Sequence, residues 1–187
     1  EDAAESLGAM VGNRKVWTFG DRDILSFCGP KVITTGEGGA ILTNNRDFYE
    51  KMKMIRSHGR LETTDYFSTS DYMDYVQLGY NFRMSNITAA LGISQLFKID
   101  KIIKIRRKNS EYLKNKLSHI SEIITPNENK NNFVSYQMYT IRIKNGRKTR
   151  DSLKGHLNKK GIMAKVYFEP IHLTKFYRET FGYSRGD

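Results

Sequence analysis

The sequence predicts an α/β fold in two parts, with a boundary near residue 98. Before that residue, short β-branched segments alternate with glycine-rich turns, which is typical of strands and their connections. After it, an amphipathic helical pattern is followed by a strand–helix–strand pattern. We therefore assign residues 1–97 to a larger domain and residues 98–187 to a smaller α+β domain. A chain of 187 residues is long enough for this arrangement.

Short extended segments dominate the elements predicted in the first 43 residues. β-Branched residues on either side of the glycine-rich stretch GEGG predict a β-hairpin of residues 32–35 with residues 40–43. The other predicted elements are a helical turn at residues 3–9 and strands at residues 15–19 and 24–27.

Two capped helices are predicted next. Asn45 or Asp47 caps a helix that runs through Ile55, and Ser85 or Asn86 starts another. Between them, residues 59–79 are polar, aromatic and aperiodic, which predicts a long loop of the kind that is often functional.

A long basic amphipathic helix is predicted to follow, ending at about residue 117. Its predicted apolar side consists of Ile102, Ile105, Tyr112, Leu113 and Leu117. Beyond it we expect a loop at residues 126–132, a strand at 134–143, a helix at 149–160 closed by Gly161, and a strand at 162–168.

The net charge of +11 is concentrated in part of the chain. Residues 101–116 carry seven positive charges and one negative charge. A positive field favours anionic partners, whereas the simpler interpretation is a solvated helix face. A basic nucleic-acid-binding module built on this helix is therefore one alternative function, supported by charge alone because no nucleic-acid-binding motif is present.

Several classes of protein and site are not favoured. No apolar run approaches the roughly 18 residues of a membrane span, so we expect no membrane partner. Cys28 is the single cysteine, which excludes an intrachain disulfide, fits a reducing, cytoplasmic compartment and is typical of a small buried filler. The four histidines are too scattered for metal-ligand spacing, so we expect no metal. A dinucleotide fingerprint is excluded because Ile41 stands where its third glycine should be.

Both ends of the chain have the character of cuts through a longer protein. The chain begins on EDAAESLGA, with no strand before it, and ends within a loop-like stretch, FGYSRGD. We therefore expect the fold to be truncated at both ends.

Lys31 lies in an unusual context, SFCGPKVITTGEGGA. Small, turn-forming and apolar residues surround it, unlike a typical surface lysine. Taken alone, Lys31 would be interpreted as a solvated surface side chain. In this setting it is also a candidate reactive amine, because a desolvated lysine is a better nucleophile than a solvated one.

A series of motifs in order along the chain carries a resemblance to a known family. The segments EDAAESLGA, SFCGPKVITTGEGGAILTNN, RSHG and LGYNFRMSNITAALGISQL closely resemble the DegT/DnrJ/EryC1/StrS family of pyridoxal-phosphate-dependent nucleotide-sugar aminotransferases. The later segments YFEPIHL and FGYSRGD resemble the family's small domain. The resemblance implies the fold of aspartate-aminotransferase-type enzymes, with part of the large domain followed by an incomplete small domain.

The resemblance also implies a cofactor, pyridoxal 5′-phosphate, and residues that bind it. The cofactor needs an amine to hold its aldehyde as a Schiff base, a carboxylate beside its ring nitrogen, and donors for its phosphate. These roles fall on Lys31, Asp2 and Ser26. Glu5 is placed near the ring hydroxyl and resembles the subset that includes the GDP-perosamine synthases. Asn81 is expected to reach the phosphate from a neighbouring subunit.

Each of these residues also has a structural interpretation. Asp2 could cap the following turn, Glu5 could be an exposed helix residue, and Asn81 could be a turn residue. His58, Arg83 and His172 are weaker candidates for substrate contacts by family position, and each could equally be structural.

The function that the resemblance implies is transamination. The substrate is a keto nucleotide-diphospho-sugar, 4-keto-6-deoxy rather than 3-keto, with glutamate as amino donor, and the product serves cell-surface polysaccharide or glycoconjugate synthesis. A homodimer with shared active sites and no nucleic-acid partner is expected. The family's dehydratase branch is a second enzymatic alternative, but that branch replaces the lysine with histidine, whereas Lys31 is present here. A non-catalytic fragment of the same family is the remaining alternative.

Overall fold

The computed structural model describes residues 1–61, 70, 72 and 74–186. The chain forms two compact units, of which the first comprises Glu1–His119 with Thr125–Thr140 and the second Ile120–Ile124 with Ile141–Asp187. The boundary predicted between residues 97 and 98 falls inside the first unit, between two helices. As a boundary between domains of the family fold it stays a prediction.

The described residues form short strands and longer helices. The strands are β1 (Met10–Val11), β2 (Arg14–Lys15), β3 (Asp23–Ser26), β4 (Gly39–Leu42), β5 (Ile123–Ile124), β6 (Asn132–Phe133) and β7 (Arg142–Ile143). The helices are α1 (Arg46–Arg56), α2 (Asn86–Leu96), α3 (Ile99–Leu117), α4 (Gly146–Lys159) and α5 (Lys175–Phe181), with a 3₁₀ turn at Ile171–Leu173. Within these residues, no helix has both the length and the apolar character needed to cross a bilayer.

The glycine-rich stretch forms a strand pair, but with a different partner from the predicted one. Strand β4 pairs antiparallel with β3, with Ser26 opposite Gly39, so the predicted hairpin of residues 32–35 with residues 40–43 is wrong. Residues 32–35 are irregular because their threonines bond to nearby backbone. The Thr34 hydroxyl donates to the Phe27 carbonyl at 3.1 Å, and the Thr35 hydroxyl donates to the Glu37 carbonyl at 2.8 Å.

The first 15 residues form turns and a small antiparallel sheet. The amide of Ser6 donates to the carbonyl of Ala3, and that of Ala9 to Ser6, which gives successive turns where a helical turn was predicted. The sheet has the order β2–β1–β6. The strand predicted at residues 15–19 is wrong, since β2 ends at Lys15.

Helices α1 and α2 begin where the capping residues predicted. The Asn45 side chain accepts a hydrogen bond from the Phe48 amide, and the Ser85 side chain accepts one from the Thr88 amide, each at 3.1 Å. These bonds satisfy amides that the first helical turn leaves without an intrahelical partner.

Helix α3 ends where predicted but buries a different face. Ile103 and Ser110 are its buried residues, whereas Ile105, Tyr112 and Leu113 of the predicted apolar side are exposed. Two of its cations also bond to backbone of the same unit. Arg106 donates to the carbonyls of Tyr136 and Gln137, and Arg107 donates to that of Val134.

The strand predicted at residues 134–143 is wrong except at its end, where β7 forms. The two arginines of α3 donate hydrogen bonds to the carbonyls of Val134, Tyr136 and Gln137, so these carbonyls bond to a helix and not to a neighbouring strand.

In the second unit, β7 pairs with β5, and α4 ends before Gly161, whose φ of +78° is the left-handed value expected of a helix-terminating glycine.

The strand predicted at residues 162–168 is also absent from the described part of the second unit. The Ile162 amide donates to the Leu157 carbonyl at 3.0 Å, and the Ala164 amide donates to the Asn158 side chain at 2.8 Å. Donors that a strand would use are thus occupied by the end of α4.

Candidate active site

Two of the predicted cofactor residues, Asp2 and Ser26, lie on β3 and on the segment beside it. Asp2 forms a parallel bridge with Ile24, and the Ala3 amide donates to the Ile24 carbonyl at 3.0 Å. Ser26 is the last residue of the same strand. A carboxylate and a hydroxyl from distant points of the sequence therefore lie on adjacent extended segments.

Lys31 is held beside this strand end by a turn. Its amide donates to the Cys28 carbonyl at 3.1 Å, and the next two residues, Val32 and Ile33, are buried. Its side chain is 15% exposed, and Nζ lies 3.1 Å from Oε1 of Glu5. The turn and the buried residues thus direct the amine toward the segment that carries Asp2 and Glu5.

The polar groups of Asp2 and Ser26 each bond to a nearby amide. Oδ1 of Asp2 accepts a hydrogen bond from the Ala4 amide at 3.1 Å, which fixes the carboxylate at the start of the turn. The Ser26 hydroxyl accepts from the Cys28 amide at 3.3 Å. Because a hydroxyl can donate as well as accept, Ser26 keeps a donor for an anion.

The loop after Lys31 closes against β3 through close backbone contacts. The Phe27 amide donates to the Gly38 carbonyl and the Thr35 amide donates to the Phe27 carbonyl, both at 2.9 Å. A side chain at Gly39 would lie 2.7 Å from the Leu25 carbonyl oxygen, which explains why glycine stands there. The TTGEGG stretch therefore supports the turn that carries the lysine.

The predicted residues His58, Asn81 and Arg83 form a separate cluster after α1. The His58 amide donates to the Tyr80 carbonyl at 2.8 Å, and an antiparallel bridge joins Ser57 with Asn81. Nε of Arg83 donates to the Asn81 side chain at 3.4 Å. All three predicted residues are exposed.

A crossing of two glycines positions this cluster, and sequence reasoning did not identify it. Gly59 has φ +78°, and a Cβ on it would overlap the Gln77 carbonyl, while one on Gly79 would overlap the Gly59 amide. The signal in the sequence was a glycine at each end of the predicted long loop. Residues 62–69, 71 and 73 of that loop lie outside the described residues.

His172 belongs to the second unit. It lies in the 3₁₀ turn, and its ring meets that of Tyr183 edge-on, with centroids 6.5 Å apart and planes 87° apart. The ring of His172 thus has an aromatic neighbour within its own unit.

A partly buried ion pair fastens α3 within the first unit. Arg107 donates to Glu128 at 2.7 Å, and the Val134 amide donates to the same carboxylate at 2.8 Å. Burial acts to raise the pKa of Glu128, but these hydrogen bonds and the charge of Arg107 outweigh it, so the pKa lies below its usual value of 4.5.

A cavity of about 980 Å³ lies between α3 and residues 7–17, and it is lined by none of the predicted site residues.

The donor set at the end of β3 fits the needs of pyridoxal phosphate. Residues 2–31 supply an amine bonded to one carboxylate, with a second carboxylate and a hydroxyl on adjacent backbone segments, and these are the chemical classes that the aldehyde, the ring and the phosphate of the cofactor require. For a metal, by contrast, the described residues contain no group of three histidine, cysteine, aspartate or glutamate side chains close enough to bind one.

Comparison with known proteins identifies relatives along the whole chain. The family described as DegT/DnrJ/EryC1/StrS aminotransferase matches residues 1–187. The GDP-perosamine synthase of Caulobacter vibrioides is 35% identical over 95% of this chain and 46% of its own length. A UDP-4-amino-4,6-dideoxy-N-acetyl-β-L-altrosamine transaminase of Helicobacter pylori is 32% identical over 97% of this chain and 47% of its own length.

A solved structure of an aminotransferase is also similar to this chain. PseC of Helicobacter pylori, an aminotransferase involved in the biosynthesis of pseudoaminic acid, has a TM-score of 0.87 and 31% identity, covering 98% of this chain and 48% of its own. The chain thus spans about half the length of the relatives that it matches.

Proposed function

The chain belongs to the DegT/DnrJ/EryC1/StrS aminotransferase family, and from that premise we propose that the protein is a pyridoxal-phosphate-dependent sugar aminotransferase. The observation that carries this proposal is the position of the Lys31 amine, 3.1 Å from Glu5, on the unit in which Asp2 pairs with Ile24. Lys31 differs from an ordinary surface lysine, because its side chain is largely buried and bonded to a carboxylate.

Each residue at the end of β3 has a role in the proposal. Pyridoxal phosphate, when bound, supplies a protonated ring that withdraws electrons from the reacting carbon. Asp2 would hold the ring nitrogen in its protonated form, Ser26 would donate to the phosphate, and Glu5 would contact the ring hydroxyl. Lys31 would hold the aldehyde at Nζ, and its free amine would take up one proton and return it.

The proposed substrate is a keto nucleotide-diphospho-sugar of the 4-keto-6-deoxy type, with glutamate as amino donor. One relative is named for GDP-perosamine, and another for a UDP-linked 4-amino-4,6-dideoxy sugar. The net charge of +11 suits a substrate with a diphosphate. Synthesis of cell-surface polysaccharide or glycoconjugate in the cytoplasm is the setting that we propose.

A second subunit completes the proposed site. His58, Asn81 and Arg83 form their own exposed cluster, joined through the Asn81 side chain and the strand-like pairing after α1. We place Asn81 on the cofactor phosphate of the partner subunit in a homodimer, and assign His58, Arg83 and His172 to substrate contacts. The domain division at residues 97 and 98 belongs to the same proposal.

An amino-transfer assay tests the function. The full-length protein, with pyridoxal phosphate and glutamate, should convert a 4-keto-6-deoxy nucleotide sugar to the amino sugar, detected by mass spectrometry, with loss of one glutamate for each product. Lys31→Ala should form none. Absence of product with both GDP- and UDP-linked 4-keto sugars, from protein that binds the cofactor, would refute the substrate assignment.

A further inference from the structure

The contact between Lys31 and Glu5 has a feature that the proposed roles do not use. Nζ of Lys31 donates to Oε1 of Glu5 at 3.1 Å, so the amine has a carboxylate partner within its own chain. The Lys31 side chain is 15% exposed and that of Glu5 is 40% exposed. Solvent therefore reaches the carboxylate more readily than the amine.

Both members of the pair stand on anchored backbone. Glu5 belongs to a turn closed by the Ser6 amide and the Ala3 carbonyl, at 3.0 Å, between the buried side chains of Ala3 and Leu7. Lys31 ends the turn that its own amide closes on the Cys28 carbonyl. Because neither segment is a loosely held surface loop, forming the contact costs little additional backbone entropy.

We infer that Glu5 is a positioning residue for Lys31. It holds the ammonium group at the end of β3 when the amine is not engaged by the cofactor. The inference rests on the proposed function for the identity of Lys31 as the reactive amine, while the contact itself is independent of the cofactor.

The charge of Glu5 is essential to this role. A hydrogen bond between an ammonium and a carboxylate is stronger than one to a neutral amide. The contact with Glu5 opposes movement of the amine toward an electrophile. A partly exposed ion pair is worth about 0.2–1 kcal/mol, so removing the charge should raise the reactivity of Lys31 up to about fivefold.

Reductive methylation of the cofactor-free, full-length protein tests the inference. Wild type, Glu5→Gln and Glu5→Asp are exposed briefly to formaldehyde and cyanoborohydride, and each lysine is quantified by peptide mass spectrometry. The matched control is Glu50→Gln, because Oε2 of Glu50 lies 3.6 Å from Nζ of Lys53 in another lysine–glutamate pair. Glu5→Gln should speed methylation of Lys31 alone, Glu5→Asp should do so less, and Glu50→Gln should leave Lys31 unchanged.

Equal Lys31 rates in wild type and in folded Glu5→Gln would overturn the inference. If Glu5→Gln does not fold, the wild type is labelled at low and high salt, since salt screens a partly exposed pair. A rise at Lys31 then supports the inference, and a rate independent of salt contradicts it. The labelling needs no cofactor, so its result is separate from that of the amino-transfer assay.

Discussion

At the scale of single residues, the carboxylate of Asp2 makes a structural contact and has a proposed role with the cofactor, and a conservative substitution separates the two. Its Oδ1 accepts the Ala4 amide, which organises the turn, and its charge is the part that the proposed role with the cofactor ring requires. An asparagine keeps an oxygen for the amide and loses the charge. The turn should therefore survive the substitution, while the cofactor chemistry should not.

We predict that Asp2→Asn lowers turnover strongly while the protein still folds and retains some cofactor. Loss of a charge-assisted hydrogen bond costs on the order of 1.5–3 kcal/mol, which corresponds to about ten- to a hundredfold in rate. Steady-state kinetics and the visible absorption of the cofactor measure the two effects, with the exposed Asp21→Asn as control. Turnover equal to wild type would mean that Asp2 serves only the turn.

At the scale of elements, α3 depends on Glu128 as well as on its buried residues. The Glu128 carboxylate accepts hydrogen bonds from Arg107 and from the Val134 amide. Burial acts to raise the pKa of Glu128, but these partners outweigh burial and lower it. A carboxyl with a lowered folded-state pKa stabilises the fold above its unfolded-state value, here 4.5, and loses that contribution as pH falls through the folded-state pKa.

We predict that Glu128→Gln lowers the free energy of unfolding by about 1.5–3 kcal/mol at neutral pH, the range for a hydrogen bond to a charged group. The difference from wild type should shrink as the pH falls below 4.5, because the wild-type carboxyl then becomes protonated. Urea unfolding at a series of pH values from acid to neutral is the measurement. A difference that is constant over this range would show that the charge of Glu128 does not matter.

A second prediction concerns the crossing of Gly59 and Gly79 after α1. Gly59→Ala should destabilise the first unit severely, because the alanine would both require a strained φ of +78° and overlap the Gln77 carbonyl. Gly12→Ala is the matched control. Gly12 also has a positive φ, of +58°, but beyond its chain neighbours a methyl group there would have no atom within 4 Å.

The two glycine variants are compared by thermal unfolding. Strain at a positive φ alone costs on the order of 1–2 kcal/mol, so Gly12→Ala should be mild and Gly59→Ala clearly worse. Equal losses of stability in the two variants would show that the close approach of the Gln77 carbonyl to Gly59 adds no cost to the alanine substitution.

Elements set by neighbouring residues were predictable from sequence, and those set by distant ones were not. Asn45 and Ser85 cap helices through bonds three residues away, so α1 and α2 begin as expected. The strand predicted at residues 134–143 failed because Arg106 and Arg107, which come much earlier in the sequence, bind the carbonyls of that segment. Its alternating pattern could not reveal this competition.

The candidate site shows the same division. Its residue types came from ordered motifs, whereas the pairing of Lys31 with Glu5 joins residues 26 positions apart. No local pattern indicates that pairing, because it depends on how the segment of Asp2 lies along β3. The role of each side chain at the cofactor stays a prediction.

At the scale of the whole molecule, the proposed site is shared between subunits. Subunits carrying Lys31→Ala should be inactive alone, and subunits carrying Asn81→Ala should be weakly active. In a mixed dimer, one site collects both lesions and the other collects neither, so activity should return on mixing. Recovery of activity after co-refolding, with heterodimers separated by an affinity tag on one subunit, is the measurement.

The same mixing experiment has a clear negative result. If purified heterodimers show no more activity than the parent variants, Asn81 acts within its own subunit or not at all. The controls are each variant mixed with itself and taken through the same refolding.

The most direct test of the central claim is to find the lysine that holds the cofactor. The full-length protein loaded with pyridoxal phosphate is reduced with borohydride, digested and mapped by mass spectrometry. We predict a covalent cofactor adduct on the peptide that contains Lys31, and no adduct in Lys31→Ala protein that keeps its far-UV circular dichroism. An adduct on another lysine of the wild-type protein, with Lys31 unmodified, would contradict the assignment of Lys31.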